Sequence, residues 1–402
     1  MVDAKPKPGE RIPVCSARLD GNEARYLQEC IETGWVSSSG PFISRFEKEF
    51  AAYCGTRCCA VCSSGTGALH LALAALGIGP GDEVIVPSLT MIASGNAILY
   101  TGATPVVADV DETSGNLAAE QVRTLITLRT RAVMVVHLYG LPCDMDSLHS
   151  VCDPARIPIV EDAAEAIGTT WRDRKAGSLG KVGCFSFFAN KAITTGEGGA
   201  VVTDDPDLDH RIRGFRDQWF IPGRRFFHPE TGFNYRMSNL QAAVGVAQLE
   251  RVGQLVEARC RVARIYRELL SDCPDVVLPL DVWPPSGSSP TPALPTADSG
   301  AVTPTGPAGV SSHWMYALRL TGRNAGRADD LAVHLKASGI DTRLFFVPLD
   351  EQPAFARPGL ACPTSRTLSR SGILLPTGPL ITRVQQVRVA EAVRGFVSSK
   401  AP

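Results

Sequence analysis

Hydrophobic positions in the first 250 residues alternate between two patterns. Short apolar runs of strand length are followed by longer segments whose apolar residues recur at helical spacing. The strand-like runs are 58–62, 83–86, 105–110, 132–137, 157–160 and 199–203, and the helical segments between the first of them are 68–76, 90–100 and 117–128. This alternation predicts an α/β fold with a mostly parallel sheet between helices.

After residue 250 the alternation weakens. A long charged helical segment is expected over 249–270, followed by strands near 314–320 and 340–346 and helices over 328–337 and 384–397. We therefore predict a large domain at 1–250 and a smaller α+β C-terminal domain at 251–402. The stretch 284–312 is rich in Pro, Ser, Thr and Gly, which predicts a flexible loop within the small domain.

Composition excludes several classes of function. The formal net charge of −1 provides no basic field for nucleic acid or an anionic membrane. The first eleven residues are polar and proline-rich, unlike a signal peptide, and no apolar run approaches the roughly 18 residues that a membrane span needs. We expect a soluble, cytoplasmic protein with small-molecule ligands.

Twelve cysteines are scattered along the chain, three of them close together at Cys58, Cys59 and Cys62. Thiolates there are able to bind a metal, but no second Cys or His pair lies nearby at finger-like spacing. We expect buried free thiols, with no metal site and no structural disulfide.

Two polar features follow predicted strands. The turn Ser64-Gly65-Thr66-Gly67 opens a helix, where free backbone N–H groups and the helix dipole favour an anion such as phosphate. Many such turns are rich in Gly and Ser for steric reasons alone. Asp162 ends another strand and is followed by small alanines, including Ala164, that leave room for a flat ligand. The alternative role for Asp162 is to cap a following helix.

Lys191 lies in a glycine-rich turn directly after the apolar run 184–188, which is either a buried strand or a buried helical turn. Burial there is expected to lower the pKa of the lysine, and a neutral amine is the form that attacks a carbonyl. The alternative is an ordinary surface lysine on a turn. Ser186 is able to face the same site as Lys191.

Together, an anion-binding turn, a buried carboxylate and an amine match what pyridoxal phosphate requires. The phosphate needs N–H and hydroxyl donors, the ring nitrogen needs a carboxylate, and the aldehyde needs a lysine. The sequence therefore predicts this cofactor.

The motifs Arg18 to Glu23, Gly79 to Thr90, Val136 to Gly140 and Gly232 to Ala243 add to this pattern. With the lysine turn, they resemble the nucleotide-sugar aminotransferases of the DegT/StrS group, which are fold-type I pyridoxal phosphate enzymes. The resemblance covers nearly the whole chain, and it is closest to the branch of that family that makes perosamine.

The resemblance implies a role for each matching residue. Lys191 is the Schiff-base lysine and proton shuttle, and Asp162 is the partner of the ring nitrogen. Glu165 lies near the sugar ring, with a helix N-terminal charge as its alternative role. The other residues implied to bind the cofactor are Gly65, Thr66, Gly67, Met91, Ala164, Ser186 and, from the second subunit of a homodimer, Asn234. Met91 stands where relatives usually have an aromatic residue.

Arg224 and Arg225 lie in the segment that the resemblance assigns to the nucleotide diphosphate, and a solvated surface pair is their alternative role. His137 is expected to be a core histidine. The expected reaction transfers an amino group to a nucleotide-linked keto sugar, with glutamate as the expected donor and GDP-4-keto-6-deoxymannose as the expected acceptor. The alternatives are a dTDP- or UDP-linked keto sugar aminated at C3 or C4, and a non-catalytic regulator that binds pyridoxal phosphate. Dehydratases of the same fold replace the lysine by histidine, which Lys191 argues against.

Overall fold

The computed structural model describes residues 11–221, 223–224, 226–283 and 308–399. The strands are β1 (Cys58–Cys62), β2 (Glu83–Pro87), β3 (Thr104–Ala108), β4 (Thr130–Val136), β5 (Ile159–Asp162), β6 (Thr170–Trp171), β7 (Arg174–Lys175), β8 (Val182–Ser186), β9 (Gly199–Thr203), β10 (Val276–Val277), β11 (Val282–Trp283), β12 (Gly309–Val310), β13 (Tyr316–Leu320), β14 (Arg343–Leu344) and β15 (Gly372–Leu375).

The α-helices of the described residues are α1 (Glu23–Thr33), α2 (Pro41–Cys54), α3 (Gly65–Ala75), α4 (Ala93–Tyr100), α5 (Ala119–Leu125), α6 (Met145–Cys152), α7 (Pro206–Arg216), α8 (Asn239–Leu249), α9 (Val252–Leu270), α10 (Ala328–Ala337), α11 (Pro363–Ser371) and α12 (Arg383–Ser398). Local chemistry explains several of their ends. Ser238 with Gln241 and Thr382 with Gln385 form capping boxes at the starts of α8 and α12.

The central sheet has seven strands in the order β1-β9-β8-β5-β4-β2-β3. Its paired strands are parallel except for β9, which runs antiparallel to both β1 and β8. The α/β fold with a mostly parallel sheet between helices is therefore confirmed. Crossover connections bring the carboxyl ends of β1, β2, β4, β5 and β8 to one edge, where ligands of such sheets bind.

Aromatic side chains fix β8, which precedes the lysine turn. Phe50 of α2 makes edge-to-face contacts with Phe185 and Phe187, with ring centroids 5.0 and 5.2 Å apart. Phe46 packs on Phe187 from the same helix, at 5.1 Å. These rings are fully buried, and such pairs add about 0.5–1.5 kcal/mol each beyond their buried area. The strand that positions the site is thus anchored on the side away from it.

The C-terminal part contains the antiparallel sheet β10-β13-β15-β14, against which α9, α10 and α12 form a separate apolar core. Ile12, near the start of the described chain, joins this part through a parallel bridge to Ile340. A third small sheet, β11-β12-β6-β7, pairs strands from both sides of residue 250. The division into domains at 250/251 stays a prediction.

The flexible loop predicted over 284–312 lies outside the described residues from 284 to 307. Its last five residues do not fit that prediction, because Gly309–Val310 is a strand paired with both Thr170–Trp171 and Val282–Trp283. Ala308, Ser311 and Ser312 are buried. The prediction rested on composition, which does not show that Gly309 and Val310 pair with a strand on each side.

The twelve cysteines are free thiols. Cys59 and Cys62 lie inside β1, and burial raises the pKa of the Cys62 thiol to about 12. Within the described ranges, no group of three or more His, Cys, Asp or Glu side chains is arranged to hold a metal ion. Nor does any helix in those ranges have the length and apolar character to cross a membrane.

Candidate active site

A cavity of about 380 Å³ opens at the carboxyl edge of the central sheet. Its walls come from the segments that follow β1, β2, β5 and β8, and Trp314 and Phe346 close it from the C-terminal part. Predicted residues from these four segments line it together: Gly65, Thr66, Met91, Asp162, Ala164, Glu165, Ser186 and Lys191. The polar residues that the sequence predicted at the ends of separate strands therefore lie in one cavity.

Lys191 lies deep in this cavity, with 11% of its side chain exposed. Its Nζ is 3.6 Å from Oε1 of Glu165 and 3.8 Å from the centroid of the Trp314 ring. The turn is held because the Lys191 N–H donates to the carbonyl of Phe188. Desolvation lowers the pKa of Lys191, which favours the neutral amine. The surface-lysine alternative is thus wrong.

Asp162 is the last residue of β5 and is buried. Its Oδ2 accepts a hydrogen bond from Ser94 Oγ at 2.7 Å, and its Oδ1 accepts one from the Ala164 N–H at 3.2 Å. Burial raises the pKa of this carboxyl. The helix-cap alternative is wrong, because turns and then β6 follow Asp162, and no helix begins there.

Glu165 lies in the same turn segment, so its helix N-terminal alternative is also wrong. Its Oε2 accepts a hydrogen bond from the Tyr139 N–H at 2.8 Å. Tyr139 has a left-handed backbone with φ of 54°, a conformation that costs energy for a bulky residue and directs its N–H at the carboxylate. Burial raises the pKa of Glu165 to about 7.

The helix α3 begins at the cavity wall. Ser64 caps it by accepting the Gly67 N–H on its Oγ at 3.0 Å. The Gly67 amide is therefore already bonded, and the first-turn amides of Gly65 and Thr66 are those without an acceptor among the described residues. A Cβ at Gly65 would lie 2.7 Å from the Cβ of Ser186, so only glycine lets the helix start approach this strand end.

Met91 is 47% exposed and lines the open side of the cavity. His137 is fully buried, as expected for a core histidine. Its Nδ1 accepts the Cys143 N–H, so the ring proton is on Nε2, which donates to Glu161 at 2.9 Å.

The remaining predicted residues do not line this cavity. Asn234 is exposed and its backbone forms a bridge with Asp217. Arg224 is exposed, with its guanidinium 3.7 Å from the centroid of the Phe227 ring. Arg225 lies outside the described residues.

Three residues at the site carried no sequence signal that identified them. Trp314 covers Lys191, Tyr139 positions Glu165, and Arg259 binds the carbonyl of Lys191 from the middle of α9. Arg259 lies in a helix with many charged residues, and only the fold distinguishes it from its exposed neighbours.

The residues present fit pyridoxal phosphate. Free first-turn amides with Thr66 and Ser186 match a phosphate, and the buried carboxyl of Asp162, which lines the cavity, matches a protonated ring nitrogen. The amine of Lys191 matches the aldehyde. Fold and site therefore define a fold-type I enzyme that depends on pyridoxal phosphate.

Comparison with known proteins gives the family. The profile of the DegT/DnrJ/EryC1/StrS aminotransferase family matches residues 17–394. The chain is 45% identical to GDP-perosamine synthase of Caulobacter vibrioides, over 95% of this chain and 97% of that protein. It is 39% identical to GDP-perosamine synthase of Vibrio cholerae, over 96% of this chain and 99% of that protein.

Among solved structures, DesV of S. venezuelae superposes with a TM-score of 0.86 at 36% identity, covering 98% of this chain and all of that one. The chain belongs to the DegT/DnrJ/EryC1/StrS aminotransferase family. The predicted class, a sugar aminotransferase that depends on pyridoxal phosphate, is confirmed.

Proposed function

We propose that this aminotransferase transfers an amino group from glutamate to C4 of GDP-4-keto-6-deoxymannose, giving GDP-perosamine. The observation that carries the proposal is the cluster of Lys191, Glu165 and Asp162 in one cavity of a chain that matches GDP-perosamine synthases almost end to end.

Lys191 acts as the base and acid of the reaction. In the first half-reaction its neutral amine takes the proton from the α-carbon of glutamate, and in the second half-reaction its ammonium form donates a proton to the sugar carbon that receives the amino group. Burial lowers the pKa of Lys191, which favours the neutral form of the amine. Pyridoxal phosphate, when bound, supplies the electron sink that makes such carbon-bound protons acidic.

The two carboxyl groups have different tasks. Asp162 holds a proton on the ring nitrogen of the cofactor, and its orientation is fixed by the hydroxyl of Ser94. Glu165 lies 3.6 Å from Lys191 Nζ and, with a pKa of about 7, is able to hold a proton beside the amine while substrates exchange. Both act in a desolvated site, where charges interact more strongly than in water.

Ser186, Thr66 and the free amides at the start of α3 would hold the phosphate of the cofactor. Ala164 would leave space for the ring, and Met91, which lines the same cavity, would pack against it. Asn234 lies outside the cavity of its own chain, and we assign it to the phosphate site of a second copy in a symmetric homodimer.

The acceptor is tested with purified protein, glutamate and a panel of GDP-, dTDP- and UDP-linked 4-keto sugars. We expect the highest kcat/KM with GDP-4-keto-6-deoxymannose. A much higher value with a dTDP- or UDP-linked sugar would contradict the acceptor but not the transamination. Binding of the cofactor without transfer to any sugar would favour the non-catalytic regulator.

Shared sites are tested by subunit mixing. Lys191→Ala and Asn234→Ala subunits should each be inactive alone, and their mixture should recover activity because one of the two hybrid sites is intact. A mixture that stays inactive despite demonstrated subunit exchange would contradict the role of Asn234.

A further inference from the structure

Arg259 is a buried arginine whose charge has no carboxylate partner among the residues that the structure describes. It lies in the middle of α9 and is 2% exposed. Its hydrogen bonds within the described residues go to four backbone carbonyl oxygens and, more weakly, to the thiol of Cys15. A buried guanidinium is costly to desolvate, so an arrangement without a counter-charge points to a task at this place.

The four carbonyls belong to two parts of the molecule. One nitrogen of the guanidinium, Nη2, donates to the carbonyls of Asn190 and Lys191 at 3.2 and 3.0 Å. The other, Nη1, donates to the carbonyls of Trp314 and Thr377 at 2.7 and 2.9 Å. The rigid guanidinium of Arg259 thus joins the turn of the candidate catalytic lysine to the residues that flank the two central strands of the C-terminal sheet, β13 and β15.

Trp314 completes the connection. Its Nε1 donates to the same Asn190 carbonyl at 2.9 Å, and its ring face covers Lys191 Nζ at 3.8 Å. Because Arg259 holds the backbone of both residues, it fixes the distance between the amine and the indole.

We propose that Arg259 is a positioning residue for transamination, whose guanidinium holds Lys191 between Glu165 and the face of Trp314 by binding the carbonyls of Asn190, Lys191 and Trp314. This inference rests on the proposed role of Lys191 as the cofactor-binding base. It adds a residue outside the cavity lining to the machinery of that base.

The charge of Arg259 has a second consequence. Three charged groups face Lys191: the carboxyls of Glu165 and Asp162 favour the ammonium form, and the guanidinium of Arg259 opposes them. Desolvation is the main cause of the lowered pKa of Lys191, and the positive charge of Arg259 adds a smaller contribution in the same direction. A purely structural arginine would not move the titration of Lys191 when replaced.

The test compares three variants. Arg259→Met keeps most of the side-chain volume and removes the charge and the fork. Arg259→Lys keeps the charge but cannot bind carbonyls on both sides. Arg267→Met is the matched control, since Arg267 lies on the same helix, is largely buried and binds Asp281 and the Pro279 carbonyl away from the lysine turn.

Two readouts are measured for each variant that remains folded. The first is the rate of reductive methylation of Lys191 in the cofactor-free protein over a pH series, quantified on the Lys191 peptide by mass spectrometry. The second is kcat and KM of the loaded enzyme. Borohydride trapping of the cofactor on the Lys191 peptide of the unmodified enzyme tests the role of Lys191 independently.

For Arg259→Met we expect the pH midpoint of methylation to rise by roughly 0.5 to 1 unit. Its kcat should fall on the order of 10- to 100-fold with KM for the nucleotide sugar within about twofold, because the turn is misplaced and the sugar contacts are not. Arg259→Lys should keep the midpoint and still lower kcat. Arg267→Met should change neither.

An Arg259→Met midpoint and kcat equal to those of the unmodified enzyme would overturn the proposal, and so would an equal change in Arg267→Met. If Arg259→Met does not fold, Arg259→Lys decides. A reduced kcat at unchanged KM supports the positioning role of Arg259, and an unchanged kcat overturns it. Cofactor trapped on a different lysine would instead contradict the role of Lys191.

Discussion

The cavity around Lys191 and the surface segment 217–236 differ in how the chain holds their polar groups. In the cavity, Asp162, Glu165 and Lys191 are buried at strand ends, and each has a hydrogen bond or ion pair that fixes it. In the segment, Arg224 and Asn234 are exposed, and the aromatic rings of Phe226 and Phe227 are exposed as well.

This difference has a physical reason. Proton transfer needs groups with shifted pKa values, and burial at the edge of the sheet is the main cause of such shifts here: it lowers the pKa of Lys191 and raises those of Asp162 and Glu165. Recognition of a nucleotide diphosphate needs accessible charged donors, which a loop can present. The chemistry therefore belongs to the core, and we assign recognition to the segment. The predictions below test this division.

Replacing the lysine should have the largest effect. Lys191→Ala should abolish transamination and covalent trapping of the cofactor by borohydride, because no other amine lies in the cavity wall of the described chain. The melting temperature should change little, because removing a desolvated amine exposes no core. Lys181→Ala removes an exposed lysine paired with Asp205 and is the control that should remain active. Trapping on Lys175 or Lys181 would contradict the assignment.

Asp162→Asn should have the second largest effect on turnover. The amide keeps the shape and is able to bond Ser94, but it cannot hold a proton on the ring nitrogen. We expect cofactor binding to persist and kcat to fall on the order of 10²- to 10³-fold. Asp205→Asn, a substitution at the cap of α7, should leave turnover unchanged. Near-normal turnover in Asp162→Asn would assign Asp162 a structural role only.

Glu165→Gln should change the pH dependence of stability. The pKa of this carboxyl is raised from 4.5 to about 7, so between these values the folded protein holds a proton that the unfolded chain has lost. The stability of the cofactor-free protein should therefore fall as pH rises through this window, by about 1–3 kcal/mol from this group. The free energy of unfolding is measured with urea at pH values at both ends of this window. In Glu165→Gln it should fall less with rising pH than in the unmodified protein, because the titrating carboxyl is absent. Equal pH dependence in both proteins would contradict the burial of a titrating carboxyl.

The fold of the large part could be predicted because its strands and helices differ in hydrophobic period. The helices α10 and α12 were predicted within one residue at each end, since their apolar spacing is regular. By contrast, the strand expected over 340–346 is shortened to Arg343–Leu344. The burial of Ala308, Ser311 and Ser312 depends on pairing of their segment with Thr170–Trp171, far away in the chain, and no local pattern indicates it.

The site shows the same limit. Residues at a strand end or in the turn that follows it, such as Asp162 and Lys191, could be predicted because parallel strands bring their carboxyl ends to one edge. The roles of three other residues could not be predicted from the sequence. Tyr139 acts through its strained backbone, Arg259 through hydrogen bonds to four carbonyl oxygens, and Trp314 through the face of its ring. Such roles depend on tertiary distances rather than on residue type at a given spacing.

Arg224→Ala should have the smallest effect and tests the recognition side of the comparison. The exposed guanidinium contacts the Phe227 ring, and at such a site this contact contributes about 0.5–1 kcal/mol at most. If Arg224 binds the diphosphate, KM for the nucleotide sugar should rise about 3- to 10-fold with kcat nearly unchanged, because the interaction is equal in ground and transition states. Arg211→Ala, which removes an arginine 5.9 Å from the Phe215 ring on α7, is the matched control and should leave KM unchanged. A fall in kcat at constant KM would show that Arg224 acts in the chemical step. It would contradict the assignment of recognition to the segment and of chemistry to the core.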